Sequence, residues 1–566
     1  MSTPPLSEVL AKQAIDTVNG ALAAGFRASG NGRSPTAPAE AARRLGLDRG
    51  TFRHRLLSAE RVHGLVPDWP DAQIKESALS GSVMPVQYAP APQPIRPTGK
   101  RFILTSAQNN TKVHDAVWAN LHALAKHYGA RIMVSRFTYN KAAYGAKAVK
   151  PGTSQAADFD DAWYDERILP YVCDVRLEMA PGLVFCGEMN ILPTAVRPLS
   201  GLESYTGRQS GIFPHPKFSM ESVASGKNEA TKFNWTTGTV TLRNYLGKKA
   251  GLKAEFHHAY GALLVEIDDA GEWFVRQLNA RDSDGTIHDL DVKAEAGVVT
   301  TGHAVEAITW GDVHREQIDP EVERTSWGEG GMLDTLRPRF QFIHDLIDFR
   351  ARNHHERDDP HRRFQRFIEG TDDVEAEFSR AARWLSETAY RDWCSTVVVD
   401  SNHDNAAERW LREADYRGDP TNALFFLDAQ RAKYRAIAVG AVKTFHLVEW
   451  ALRERGCPPE TRFLREDENM VICPDAHGGI ECGMHGHLGI NGRRGAPAQF
   501  VKMGRKANTA HTHSAGIMDG VYTAGSSANL DMQYNVGPSS WSHSHIVTYV
   551  TGKRAIVTMW RGKWRA

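Results

Sequence analysis

Along its C-terminal half the chain presents Asp312-Val313-His314, then Asp345, then Ser401-Asn402-His403-Asp404. Met484-His485-Gly486-His487 and Ala510-His511-Thr512-His513 follow. Each piece alone is common. In this order, delivered from five separate loops, they amount to a full ligand set for two divalent cations. Carboxylate oxygens supply charge, neutral imidazoles supply directional nitrogen, and the amide oxygen of Asn402 ligates without adding charge. A mixed oxygen and imidazole shell with one bridging carboxylate suits a pair of hard or borderline cations. Such a set forces segments far apart along the polymer to converge, which constrains the fold more than any other feature of the chain.

Composition limits the remaining options. At 566 residues there is room for about three or four domains of ~150 residues. The hydrophobic fraction of 41% and charged fraction of 24% are those of a soluble globular protein. The net charge of +1 provides no global basic field, so any nucleic-acid surface must be local. No apolar run approaches the ~20 residues that span a bilayer, and no membrane partner is expected. Met1 to Leu10 lacks the pattern of a secretion signal. The six cysteines include no Cys-x-x-Cys, which argues for reduced thiols and a cytoplasmic location. Histidine is the outlier, with 24 copies, many of them crowded after position 310.

The expected fold class is α/β and multidomain. Residues 1–79 read as a small helical domain. Ser7 to Ala24 has helical spacing, Pro38 to Leu45 a second helix with proline in its first turn, and Arg49 to Ala59 a third, capped by Asp48. The last two, joined by a Gly46 turn, resemble a helix-turn-helix unit. Arg49, Thr51, Arg53 and His54 are its expected DNA contacts. Residues 80–99, with five prolines between Pro85 and Pro97, read as an extended linker. Residues 100–300 read as an α/β domain of unknown role. It holds a β-α-β unit (strands near 101–105 and 130–134, helix 113–128), strands at 182–186 and 238–242, and a hairpin through Asp268 to Gly271. Its Asn109-Asn110-Thr111 loop lies where α/β sheets often bind ligands. Residues 301–566 read as strands ending in polar loops that carry the ligand residues, with a charged helical insertion over about 350–390.

These blocks resemble the calcineurin-like metallophosphoesterase superfamily, whose five signature blocks occur here in order across roughly residues 305 to 515. The resemblance implies a C-terminal α/β metallophosphoesterase sandwich. It assigns Asp312 and His314 to the first metal, Asp345 to the bridge between the metals, and Asn402 to the second metal. His485 is the fourth-block ligand with His487 as runner-up, and His511 and His513 supply one histidine to each metal. His403 would contact the phosphate and protonate the leaving oxygen, with Asp404 orienting it. Asp348 fits the usually structural second acid of its block. His344, Ser401 and Ala510 stand where the family usually has glycine. The implied cofactors are two divalent ions, Mn2+ foremost, with Mg2+, Fe or Zn2+ as alternatives. His543-Ser544-His545 follows the last block and reads as structural or substrate-contacting.

The metal blocks alone do not choose a substrate. The helix-turn-helix-like segment, the arginines at 350, 352, 357, 362, 363 and 366, and the basic Trp-containing tail favour DNA. The expectation is therefore a metal-dependent DNA nuclease using a metal-bridging hydroxide, resembling the break-repair branch of the superfamily. Its architecture looks phage-encoded, which would put it in a host cytoplasm. The alternatives are a phosphatase or phosphodiesterase for small molecules or proteins, and a DNA-binding regulator whose metal site is inactive.

Overall fold

A computed structural model describes residues 7–26, 36–68, 96–139, 162–227, 229–353, 359–441, 443–476, 478–532 and 535–566. The chain divides into two compact units, residues 1–93 and 94–566. Most of the expected linker, residues 80–95, lies outside the described residues, as do His354, His355, Arg357 and His477.

The first unit is helical. Ser7 accepts the Leu10 N–H at 3.4 Å and opens α1 (Glu8–Ala23). α2 (Ala37–Arg44) has Pro38 in its first turn. Asp48 accepts the N–H groups of Gly50 and Thr51 and caps α3 (Arg49–His63). Small residues, Ala14, Val18 and Ala21 with Ala37, Ala41 and Ala42, bring the helices together around Phe52. Arg49, Arg53 and His54 are exposed. Thr51 is exposed as well, but its hydroxyl donates to Asp48, so the cap uses a side chain expected to be free for DNA.

In the second unit a six-stranded sheet sets the frame. Arg462–Phe463, Ser395–Val399, Phe340–His344 and Ala307–Thr309 run parallel, and Ser544–Thr548 and Arg554–Thr558 complete it antiparallel. Alternation along these strands separates two cores. Ile308, Ile343 and Val398 face a helical layer that includes Phe378, Trp410 and Leu452. Ala307, Phe342, Val397 and Val399 face Ile472 and Ile480 of a ten-stranded sheet and the adjoining Cys482. The parallel strands thus lie between helices and a second sheet.

The ten-stranded sheet joins distant parts of the sequence. Strands between Val471 and Thr523 form one half and strands between Arg176 and Thr236 the other. They meet where Gly516 and Ile517 pair with Glu221 and Met220. The boundary expected near residue 300 therefore does not separate two independent sheets. A four-stranded sheet contains the expected parallel pair Arg101–Gln108 and Arg131–Phe137 and the hairpin Gly261–Ile267 with Trp273–Asn279. Residues 238–242, expected as a strand, make only isolated bridges, to Val113, His215 and Tyr260, because their partners are single residues on three different segments. No helix among the described residues is long and apolar enough to cross a membrane.

Gln341 is fully buried, with every polar atom engaged. Its Oε1 accepts the indole N–H groups of Trp310 and Trp327 at 3.0 and 3.3 Å, and its Nε2 donates to the Ala389 carbonyl and the Thr396 hydroxyl. Gln341→Leu strands these buried partners, each at about 1–3 kcal/mol. A stability loss of about 3 kcal/mol or more is expected, read as a lower denaturation midpoint. Burial also pushes the imidazoles of His215, His258 and His545 down to about 3. In the unfolded chain these rings take protons below about 6.5, whereas in the folded chain they stay neutral. Stability is therefore expected to fall as pH drops from about 6.5 toward 3, with a slope approaching three protons in an acid titration of unfolding.

Candidate metal centre

The five sequence blocks converge at the tips of the two facing sheets. Asp312 and His314 follow the strand Ala307–Thr309, Asp345 follows Phe340–His344, and Asn402 follows Ser395–Val399. The second sheet contributes His485 beyond Ile480–Glu481, and His511 and His513 beyond Lys506–Thr509. Four of these residues have left-handed backbone: His314 at φ 42°, Asp345 at 46°, His511 at 72° and His513 at 55°. Residues with a Cβ avoid this region, at about 1–3 kcal/mol each. Hydrogen bonds between the tips hold the turns in place. Val313, His314 and Arg315 donate N–H to the carbonyls of His344, Asp345 and Leu346, Ala510 donates to His485, and Ser542 donates to His513. Strain maintained in this way is typical of ligand clamps.

Asp312, His314, Asp345 and His513 are all buried, and one ligand atom of each lies within 4.8 Å of the others. His314 Nε2 and His513 Nε2 face each other at 3.0 Å. His513 Nε2 is 3.1 Å from Asp312 Oδ2, and His314 Nε2 is 3.5 Å from Asp345 Oδ2. A second group surrounds Asn402, whose Oδ1 is 3.0 Å from His485 Nε2 and 3.1 Å from His511 Nδ1. Asp345 is common to both, since its Oδ2 also lies 3.3 Å from His485 Nε2. The backbone N–H of His511 donates to Asp312 Oδ2 at 2.8 Å and locks the last loop onto the first.

This donor set fits metal ions. Asp312 Oδ1 and Asp345 Oδ1 are buried with no hydrogen-bond partner, a costly state for carboxylates unless something compensates them. Burial and the neighbouring Asp345 charge push the Asp312 carboxyl up. Burial acts to raise Asp345 too, but the rings of His485 and His403 outweigh it and hold that carboxyl well below its ordinary value. Burial keeps His485 far below its ordinary value and brings His511 and His513 down to about 4. These rings are therefore neutral, the form in which imidazole ligates.

His403 stands beside this cluster, its ring edge-on to His314 at 4.8 Å between centroids. Its Nδ1 lies 2.6 Å from the carbonyl of Asp348. The Asp348 carboxylate is 3.2 Å from His314 Nδ1, which turns His314 Nε2 toward the cluster. Burial acts to lower His403, but Asp345, Asp348 and the Asp348 carbonyl together raise it above the ordinary histidine value. The role expected of Asp404 thus falls to Asp348. Asp404 accepts the Ser401 N–H at 3.0 Å, and its own N–H donates to the Ser401 hydroxyl. This capping box starts the helix Asn402–Glu413. The Ser401-x-x-Asp404 spacing is itself the signal for it, and it places Asn402 and His403 on a first helical turn rather than in a loop.

His485 is in the cluster. His487 is half-buried, with Nε2 3.1 Å from the Asn405 amide nitrogen and 3.6 Å from Glu466. His344, where glycine was expected, stacks its buried ring on His485 at 5.5 Å. His545 accepts the Gly311 N–H at 3.0 Å and His543 contacts the Ala528 carbonyl, so both are structural. No sequence signal pointed to Glu377. It is fully buried, accepts the N–H groups of Arg350 and Ala351, and pins the turn after Asp348, while burial pushes its carboxyl up to about 8.

Several expected DNA contacts have structural roles instead. Arg352 is buried between Asp372 and Asp419, and Arg366 is buried as well. In the tail Trp564 joins the core, while Arg561 and Lys563 pair with Glu272 and Asp268. The Asn109-Asn110 loop tethers chain rather than presenting an open ligand loop: Asn109 Oδ1 accepts the Tyr139 N–H and Asn110 Oδ1 accepts the Trp163 N–H.

No known family model matches the chain, and no solved structure matches it. The chain is 42% identical over 480 residues to Protein A1 of Escherichia phage T5, a match covering 83% of this chain and 83% of that protein. This relative supports a phage origin. Identity at that level over most of both chains shows that the protein belongs to the family of phage T5 Protein A1.

Proposed function

We propose that the protein is a metal-dependent phosphodiester hydrolase of the calcineurin-like metallophosphoesterase type, acting on DNA as a nuclease. The observation that carries this reading is the convergence of Asp312, His314, Asp345, Asn402, His485, His511 and His513, with His403 beside them. Asp312, His314, Asp345 and His513 would hold one divalent ion, and Asp345, Asn402, His485 and His511 a second. The mixed oxygen and nitrogen donors favour Mn2+. Bound there, divalent ions polarise phosphoryl oxygens and lower the pKa of water.

His403 does the proton work in this reading. The Asp348 carbonyl accepts from Nδ1, which leaves Nε2 for the substrate. Its raised pKa keeps a proton available near neutrality. As a water oxygen bonds to phosphorus and releases a proton to solvent, the P–O bond to the leaving group breaks, the electron pair goes to the departing oxygen, and His403 Nε2 gives that oxygen its proton. Asp348 and Glu377 act as positioning residues, one on the ring and the other on the turn that carries Asp348. DNA as substrate draws on the helical first unit, where Arg49, Arg53 and His54 present an exposed basic face.

The test pairs plasmid, linear and single-stranded DNA with a chromogenic phosphodiester, each in Mn2+. Cleavage of DNA is expected. Turnover of the small ester alone would sink the nuclease reading, and DNA binding without turnover of either would favour a regulator. Asp345→Ala is expected to lose both bound metal, by elemental analysis, and activity. His403→Ala is expected to keep its metal and lose about 10²- to 10⁴-fold in turnover.

A further inference from the structure

Beyond His485-Gly486-His487 the chain turns back on itself in a short hairpin. Leu488 pairs with Arg494, Gly489 donates its N–H to the Arg493 carbonyl at 2.6 Å, and Gly495 donates to the His487 carbonyl at 2.7 Å. Asn491 and Gly492 form the tip, with φ 58° and 72°. These two successive left-handed residues, Asn then Gly, close the three-residue loop between Gly489 and Arg493. Gln499 clamps both strands, its Oε1 accepting the Ile490 N–H at 3.1 Å and its Nε2 donating to the Arg494 carbonyl at 3.0 Å. Contact with the cluster loop is equally tight. A Cβ on Gly495 would lie 1.9 Å from the carbonyl oxygen of Gly486, between the two histidines, and one on Gly489 would lie 1.8 Å from Gln499.

This fixed arm carries Arg493 and Arg494. Both are exposed, and neither makes an ion pair among the described residues. The surrounding sequence has a marked bias. From Gly483 to Met518 there is no Asp or Glu, while Arg493, Arg494, Lys502, Arg505 and Lys506 supply five cations, in a chain whose net charge is +1. The same stretch carries His485, His511 and His513. Arg505 lies 3.8 Å from Glu481, so the arm's Arg493 and Arg494 are the cations of this stretch that stand exposed, without an ion pair, next to the loop carrying His485. A substrate with a single phosphate at the cluster has little use for a pair of exposed guanidinium groups carried several residues up a braced backbone arm. A polynucleotide has further phosphates on either side of the one being cleaved.

We propose that the hairpin Leu488–Arg494 is a phosphate-gripping arm, through which Arg493 and Arg494 hold the backbone of a polynucleotide beyond the scissile bond. The position of that bond rests on the phosphodiesterase reading above. The grip itself is a binding property and is tested without turnover. Its rigidity limits the ordering cost of binding, and phosphate contacts made in this way set register rather than sequence preference.

The experiment measures binding of a fluorescent 30-base-pair duplex to full-length protein in EDTA across a salt series. Every protein carries Arg49→Ala and Arg53→Ala to remove the first unit's contribution. Adding Arg493→Ala and Arg494→Ala is expected to lower affinity about 10-fold at low salt and to flatten the log K against log salt slope by about 2. Arg493→Lys with Arg494→Lys is expected to restore most of the slope. An unchanged slope in the alanine pair overturns the proposal, and so does a loss that the lysine pair does not recover. If the slope changes as expected but the parent chain hydrolyses no phosphodiester, the arm stands and the hydrolase reading falls.

Discussion

Seven ligand-type side chains reach one place because two sheets end together and their loops are hydrogen-bonded across the gap. The turn at His314 copies the turn at Asp345 through consecutive N–H to carbonyl bonds, and the Asp312 carboxylate holds the backbone of His511. Without these bonds the left-handed conformations at His314, Asp345, His511 and His513 would relax, and the nitrogens would no longer converge. The clamp is built into the backbone before any ion is considered. A bound cation would add attraction where the folded chain has placed buried carboxylate oxygens without partners.

The register of the two sheets is set by polar contacts, which is unusual between apolar faces and gives the site its precision. Asn508 donates to the hydroxyls of Thr309 and Thr548. Arg554, fully buried, donates to the carbonyls of Ala507 and Gly520 and stacks on Tyr522 at 4.0 Å. Gln277 reaches from the four-stranded sheet to the backbone of Ile556. Apolar contacts alone tolerate sliding, whereas a buried hydrogen-bond donor loses its partner when a strand shifts. Thr309 and Ala507 are close in sequence to Asp312 and His511, so these contacts fix the spacing of the ligands.

Much of this organisation was legible in the residues. The β-branched run Ser395–Val399 and the helical spacing of the first unit mark real elements, because residue type and local hydrogen bonding govern them, whereas Phe340–His344 fits helix or strand until it pairs with Ala307–Thr309 and Ser395–Val399. The candidate ligand residues were singled out by their order along the chain, and the structure brings them together. Of the paired histidines, His485 is the one that reaches Asn402 and Asp345. Asp404 was misassigned because adjacency in sequence suggested a partnership with His403. A helix start directs the side chain at its third position back to the cap, so the neighbour in sequence is not the neighbour in space. The insertion arginines and the tail show the same effect. Arg352, Lys563 and Trp564 look like free groups along the chain, but folding supplies them with carboxylates or a core.

The sequence by itself determined the types of donor, their order, the helices of the first unit and the strand that leads into Asn402, since each depends on residue type and short-range periodicity. Tertiary structure alone decided that strands from either side of residue 300 share one sheet, that Asp348 rather than Asp404 holds His403, and that the exposed arginines beside the candidate metal centre sit on a hairpin. Those outcomes depend on which distant segments pair and which side chains they bury. No local pattern encodes that choice, because the energy that selects it exists only once the segments are in contact.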